Sequence, residues 1–251
     1  MTGVSQGGRE PELLGQTVVV IGGSAGIGLE TARRARAEGA EVILAGRNAE
    51  RLERAVSEVG ASGSATFDAR DPDAIDDFFE HLAGPVDHVM VTAGGPYYSP
   101  LADMDFDEAR RALAGSPLAM LGVARQASRG KVRGGGTLLF MSGTGGRRPG
   151  IGLGIISSVT AALSALAATL ALEIAPVRVN VIAAGFVDTP LSATLLGDGL
   201  EERRTELRAT LPIGRVVGPA DVAALAVHIM SNTALTGATY DIDGGQQLLA
   251  R

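Results

Sequence analysis

Thr17-Val-Val-Val-Ile-Gly-Gly-Ser-Ala-Gly-Ile-Gly28 sets a run of five β-branched or hydroxyl-bearing β-formers directly against a glycine-rich turn. A strand with no polar face suits a position buried on both sides in a parallel sheet. The turn passes into a helical pattern over residues 25–38, with Gly39 placed as its C-cap. Strand, glycine turn and helix in that order make one βα unit.

The unit repeats down the chain. Residues 41–45 read as a second strand and 49–59 as a second helix; 64–67 is a third strand leading to Asp68, and 73–82 a third helix. Residues 88–92 form a fourth strand that enters Ala93-Gly94-Gly95. A helical stretch follows over 106–128, a fifth strand over 136–141 and a long alanine-rich helix over 157–174. A sixth strand covers 177–182, and residues 191–211 read as a mobile helical insert between Pro190 and Pro212. A last helix covers 219–231, and a last strand over 239–242 runs into Asp243-Gly244-Gly245. Such alternation implies right-handed crossovers, a parallel sheet and helices on both of its faces. The expected fold is α/β, a single-domain doubly wound parallel sheet over residues 13–251 behind a flexible N-terminal tail, 1–12. Ligands of such sheets bind at the carboxyl ends of the strands.

Composition removes several function classes. The chain of 251 residues has no cysteine, so disulfides and thiolate metal sites are excluded. Its three histidines, His81, His88 and His228, lack metal-ligand spacing, and no metal is expected. A net charge of −6 without basic runs argues against nucleic acid as a partner. Residues 149–172 carry no charge, but their Gly, Ser and Thr content and the βα pattern on both sides favour a loop and a buried helix over a membrane span. Residues 1–12 lack the apolar stretch of a signal peptide, and a cytoplasmic location is expected.

The glycine turn has the Gly-x-x-x-Gly-x-Gly pattern that cradles a dinucleotide when it joins a strand to a helix. Gly22 permits the tight turn, Gly26 lets backbone approach a pyrophosphate, and Gly28 allows close helix–strand packing. The helix N-terminus offers free N–H groups to phosphate. The expected cofactor side comprises Gly22, Ser24, Ala25, Gly26, Ile27 and Gly28, with Arg47 and Asn48 after the second strand. An acid at the end of that strand would hold the ribose 2′-hydroxyl of NAD(H); this chain has Arg47, whose guanidinium suits a 2′-phosphate. NADP(H) is therefore expected over NAD(H).

Together with Asp68, Ala93-Gly94, the run Arg178-Val-Asn-Val-Ile-Ala-Ala-Gly-Phe-Val-Asp-Thr-Pro190, Thr236-Gly237 and Asp243-Gly-Gly245, the loop resembles the short-chain dehydrogenase/reductase family over residues 14–247. The resemblance implies a Rossmann fold. It also implies that Asp68 and Ala69 bind adenine, that Ala93 and Gly94 lie against its ribose, and that Val187 and Thr189 meet the nicotinamide carboxamide. Departures from the family's pattern include Ile21 for threonine, Thr92 for asparagine and Ala184 for proline.

The departures are deeper where the family keeps its serine and Tyr-x-x-x-Lys. The resemblance sets Gly143 at the serine, Ile156 at the tyrosine and Thr160 at the lysine, with no asparagine at 113–117. No shift of alignment repairs this, because Lys131 is the chain's only lysine. Substitute candidates are Ser142, one residue before Gly143, and Tyr97 and Tyr98, if Arg147 or Arg148 lies near enough to lower a phenol's pKa. The plainer readings are a strand-end hydroxyl bonded to backbone and an aromatic wall. Ser157, Ser158 and Thr160 offer hydroxyls without a neighbouring base. The alanine-rich helix is apolar almost all round, which suggests burial against the sheet and against a partner subunit in a homodimer or homotetramer. Three functions stand open. One is an NADP(H)-binding oxidoreductase for a small carbonyl or hydroxyl substrate with non-standard or impaired catalysis. The others are a non-redox enzyme on the same scaffold and a catalytically inactive nucleotide-binding pseudoenzyme serving as sensor or partner of an active paralogue.

Overall fold

The computed structural model describes residues 10–147 and 150–249. The strands are β1 (Thr17–Ile21), β2 (Glu41–Gly46), β3 (Gly63–Thr66), β4 (Val86–Val91), β5 (Val132–Gly143), β6 (Arg178–Ala184) and β7 (Thr239–Ile242). The helices are α1 (Gly26–Ala37), α2 (Ala49–Val59), α3 (Pro72–Glu80), α4 (Phe106–Ser128), α5 (Gly154–Glu173), α6 (Pro190–Leu196), α7 (Leu200–Thr210) and α8 (Pro219–Ser231). The strands form one parallel sheet in the order β3-β2-β1-β4-β5-β6-β7. The order reverses between β1 and β4, and at that switch the loops after both strands open a crevice.

Alternate residues of the central strands enter two cores. Val19, Val89, Leu138 and Val179 face α3, α4 and α5, whereas Val18, Met90, Leu139 and Ile182 face α1, α2 and α8. Burial on both faces is why these strands lack polar alternation. Arg178 is a buried exception whose guanidinium donates to the carbonyls of Gly135, Ile229, Met230, Asn232 and Leu235. It thereby closes the end of α8, where exposed carbonyls and the helix dipole favour a cation. Beside it in register lie Thr137 and His88. Burial, then the Arg178 charge, depresses the His88 pKa to about 4, and its Nε2 bonds Gln16.

Local capping explains which boundaries matched expectation. Asn48 accepts from Arg51 N, Asp105 accepts from the N–H groups of Asp107 and Glu108, and Pro219 opens α8; α2, α4 and α8 all begin where the sequence places them. Helix α5 differs. It starts at Gly154 rather than Ser157 because Leu153 makes no side-chain cap that would announce the start. The third strand is Gly63–Thr66 rather than 64–67, and β5 is longer than expected, with a register shift opposite Val86 and His88. The insert is α6 and α7 joined by a short 3-10 turn. Of the expected N-terminal tail, residues 1–9 lie outside the described residues.

Among the described residues α5 is the one helix long and apolar enough to cross a membrane. Its stripe Val159, Leu163, Ala167 and Leu170 is buried against the sheet. The opposite stripe is open in the single chain, with Leu172 82 % exposed. Burial on the sheet side is as expected; the second buried side belongs to a question about partners.

Candidate functional site

The crevice at the switch holds a cavity of about 440 Å³ bounded by the β1, β2 and β4 loops. Its floor requires glycine. Gly22 has φ +94, and a Cβ there would lie 2.4 Å from Thr92 Oγ1. A Cβ on Gly28 would lie 2.3 Å from the Gly22 carbonyl oxygen. The turn therefore folds onto its own helix, as the spacing implies. Thr92, standing where the family's pattern has asparagine, donates its hydroxyl to Gly22 O at 3.1 Å and so still staples β4 to the turn.

Above that floor, α1 begins without a side-chain cap at Ala25 and without an acid in its first turn. Uncapped N–H groups and the positive end of the helix suit a pyrophosphate. Ser24, Ala25, Arg47, Asn48, Ala69, Ala93 and Gly94 all line the cavity, as their sequence positions suggest. Ile27, in the first turn of α1, packs against the core instead. The Asn48 side chain is spent on capping α2, so its role is to shape the wall. Arg47 makes no hydrogen bond or close ion pair among the described residues. Arg51, in the first turn of α2, lines the same wall, as does Phe67 just after β3. The sequence reading missed both, although the Asn48 cap fixes Arg51 three residues on.

Asp68 follows β3 and is held by its neighbour. Oδ1 accepts from Arg70 N at 3.0 Å and from Nε at 3.1 Å; Oδ2 accepts from Nη2 at 2.6 Å. These bonds hold the carboxyl below its ordinary pKa against the opposing effect of burial, with Arg47 adding to the lowering.

At the other side of the crevice, Thr189 reaches the glycine loop: a Cβ on Gly26 would lie 3.5 Å from Thr189 Cβ. Thr189 caps α6 through a reciprocal pair with buried Ser192. Val187 bridges to Val217, and Asp188 pairs with Arg204 of α7 at 2.6 Å. The loop after β6 is thus fixed from both directions. These residues can hold a dinucleotide: an open helix terminus for its phosphates, two arginines whose side chains have no hydrogen-bond partner among the described residues for an extra phosphate, and a fixed loop opposite.

The corner formed by β5 and α5 has another character. The turn Thr144–Arg147 lies directly on α5. A Cβ on Gly146 would fall 2.7 Å from Thr160 Oγ1, and one on Gly145 3.7 Å from Ile156 Cγ2. Thr160 is buried and donates to the carbonyls of Ile156 at 2.9 Å and Ser157 at 3.1 Å. Ser157 donates to Gly145 O at 2.8 Å, and Ser158 to Gly154 O at 2.9 Å. Each hydroxyl here serves the backbone.

The three substitute candidates have different surroundings. Ser142 Oγ is buried with no hydrogen-bond partner among the described residues, so it is not the backbone-bonded strand-end hydroxyl of the plainer reading. The Tyr97 hydroxyl donates to the Asp105 carbonyl at 3.3 Å and accepts from Asp105 N at 3.0 Å, stapling the β4 loop to the start of α4. Tyr98 is half exposed, and partial burial raises its pKa. Arg147 does not lower it, being paired with Asp241 on β7. Arg148 lies outside the described residues. A separate apolar cavity of about 470 Å³ lies between α4 and α5, beside Met104, Phe106, Leu113 and Ile155. No group of three or more potential metal ligands occurs among the described residues.

Comparison with known proteins agrees with the fold. A family model described as enoyl-(acyl carrier protein) reductase matches residues 22–247. The NADP-dependent (R)-specific alcohol dehydrogenase of Lentilactobacillus kefiri is 30 % identical over 93 % of this chain and 97 % of its own length. Among solved structures, the MalC reductase/Diels-Alderase of Malbranchea aurantiaca superposes with a TM-score of 0.87 at 27 % identity, covering 96 % of this chain and 99 % of that one. A small-chain dehydrogenase in complex with NADPH superposes at 0.80 with 26 % identity, over 93 % of this chain and 99 % of that one.

Proposed function

This chain belongs to the short-chain dehydrogenase/reductase family of NAD(P)H-dependent oxidoreductases, and on that premise we propose that it binds NADP(H) and reduces or oxidises a small carbonyl or hydroxyl substrate without a tyrosine–lysine proton donor. The observation that carries the cofactor choice is the pair Arg47 and Arg51 on one cavity wall, with no acid at the end of β2. Two guanidinium groups favour a 2′-phosphate, and a carboxylate in that place would repel it. The NADP dependence of the Lentilactobacillus kefiri alcohol dehydrogenase and the NADPH bound to the small-chain dehydrogenase support the same reading.

NADP(H), when bound, supplies or takes up hydride at the substrate carbon. The chain's own part is to hold phosphates at the α1 terminus, fix the reacting end through Val187 and Thr189, and bound the crevice with the β4 loop. At the corner where a proton donor belongs stand Gly143, Ile156 and Thr160, and the one hydroxyl among them is bonded to helix carbonyls. The proton that follows hydride onto the substrate oxygen therefore comes from solvent, and turnover is slow. A second reading, a nucleotide-binding partner or sensor with no turnover, is favoured by the seating of the 144–147 turn on α5.

The test of cofactor choice is fluorescence titration, which is clean because the chain has no tryptophan. NADPH is expected to bind at least about tenfold more tightly than NADH, and Arg47→Glu to erase that difference. Equal affinities in the unmodified protein would sink the arginine argument.

The exposed stripe of α5, ending in Leu172, is the surface we assign to pairing with a second copy. Light scattering is expected to give a dimer or tetramer, and Leu172→Asp to shift it toward monomer. A monomeric unmodified protein would contradict the assignment.

A further inference from the structure

Asp68 is the expected acceptor for the adenine amine, yet nearly all its acceptor capacity is already engaged. A carboxylate offers about four lone-pair sites, and Arg70 N, Nε and Nη2 address both oxygens at 2.6–3.1 Å. The fork is planar and directional, so it fixes the plane of the carboxylate as well as its charge. Arg70 is in turn steadied from a distant element. A Cβ on Gly115 of α4 would lie 3.3 Å from Arg70 Cδ and 3.4 Å from Cγ, so the arginine stem runs over α4 where a residue has no side chain. Neither the bare Asp68 nor the bare glycine explains the arrangement; together they make a chain α4–Arg70–Asp68 that ends between Phe67 and Ala69 of the cavity wall.

We propose that Arg70 is the positioning residue of the adenine site: it presents the Asp68 carboxylate edge-on to an exocyclic amine, with α4 as its brace. The inference rests on the reading of the cavity as a nucleotide site and deepens it, by assigning base recognition to a fork that no motif announces. Its consequence is selectivity for a purine that carries a 6-amino group.

The experiment compares NADPH with its purine analogue, which lacks only the exocyclic amine, by fluorescence titration of the full chain. The unmodified protein is expected to prefer NADPH by about tenfold, the size of one hydrogen bond to a charged group. In Arg70→Gln the preference falls to about threefold or less, chiefly through weaker NADPH binding. Arg70→Lys, a point charge without the fork, lies between. Gly115→Ala, which pushes on the arginine stem from α4, shifts the preference in the same direction by less. An unchanged preference in Arg70→Gln overturns the inference, as does an equal loss for both cofactors, the mark of a charge acting at a distance. Failure of the unmodified protein to bind NADPH at all overturns the nucleotide reading along with it.

Discussion

The two halves of the crevice are made of different materials. On the β1–β2 side the working parts are backbone: two glycines packed to contact distances that no Cβ tolerates, and a helix terminus left uncapped. On the β5–α5 side the working parts of a dehydrogenase are side chains. There the chain offers glycine, isoleucine and a threonine whose hydroxyl is turned back to its own helix. Backbone features are bound into the fold, because Gly22, Gly28 and Thr92 hold β1, α1 and β4 together; losing them would cost the sheet. Side chains at the reacting corner have local duties only: Ser157 holds the 144–147 turn through Gly145 O, and Thr160 bonds its own helix. On the proposed reading, the cofactor geometry is kept where the side chains of the reacting corner depart from the family's pattern.

Gly28→Ala is expected to break the first half most severely. With Gly22 O only 2.3 Å from the new carbon, the turn must move, and both cofactor binding and several kcal/mol of stability are expected to go. Thermal melting with and without NADPH measures both; an unaltered melt would mean the contact is soft. Rebuilding the second half tests the opposite side. Ile156→Tyr with Thr160→Lys restores an acid and a neighbouring cation one turn apart, and a well-placed general acid contributes roughly 10²–10⁴-fold. An increase of at least about 100-fold in carbonyl-dependent NADPH oxidation is expected. No increase, with NADPH still bound, would show that the seated 144–147 turn, and not the missing side chains, bars the reaction. The smallest effect belongs to Ser142→Ala. Removing an unpartnered buried hydroxyl is expected to change turnover by less than about twofold and to leave stability equal or slightly higher. A large fall in turnover would restore Ser142 as the proton donor.

The same division governs what the sequence disclosed. The alternation, the glycine turn and the capped starts of α2, α4 and α8 were readable because the forces that set them act within a few residues. The arginine after β2 was readable for the same reason. The start of α5 was not, since Gly154, Ile155 and Ile156 carry neither cap nor charge. Still less readable were pairings between distant segments. Arg147 is drawn off by Asp241, 94 residues away, which removes it from Tyr98. Tyr97 is consumed by the backbone of Asp105, and Arg70 is braced by Gly115. Each depends on topology that spacing alone does not carry. Spacing also placed Ser142 correctly at the strand end without disclosing that its hydroxyl is buried and has no hydrogen-bond partner among the described residues.

The most direct test is a crystal structure of the protein soaked with NADPH. The account predicts the adenosine 2′-phosphate between Arg47 and Arg51, and the nicotinamide facing Gly143 and Ile156 with no side-chain hydroxyl or amine within hydrogen-bond reach of the hydride acceptor's oxygen. An empty cavity, or a Tyr98 or Ser142 hydroxyl swung into that reach, would contradict it.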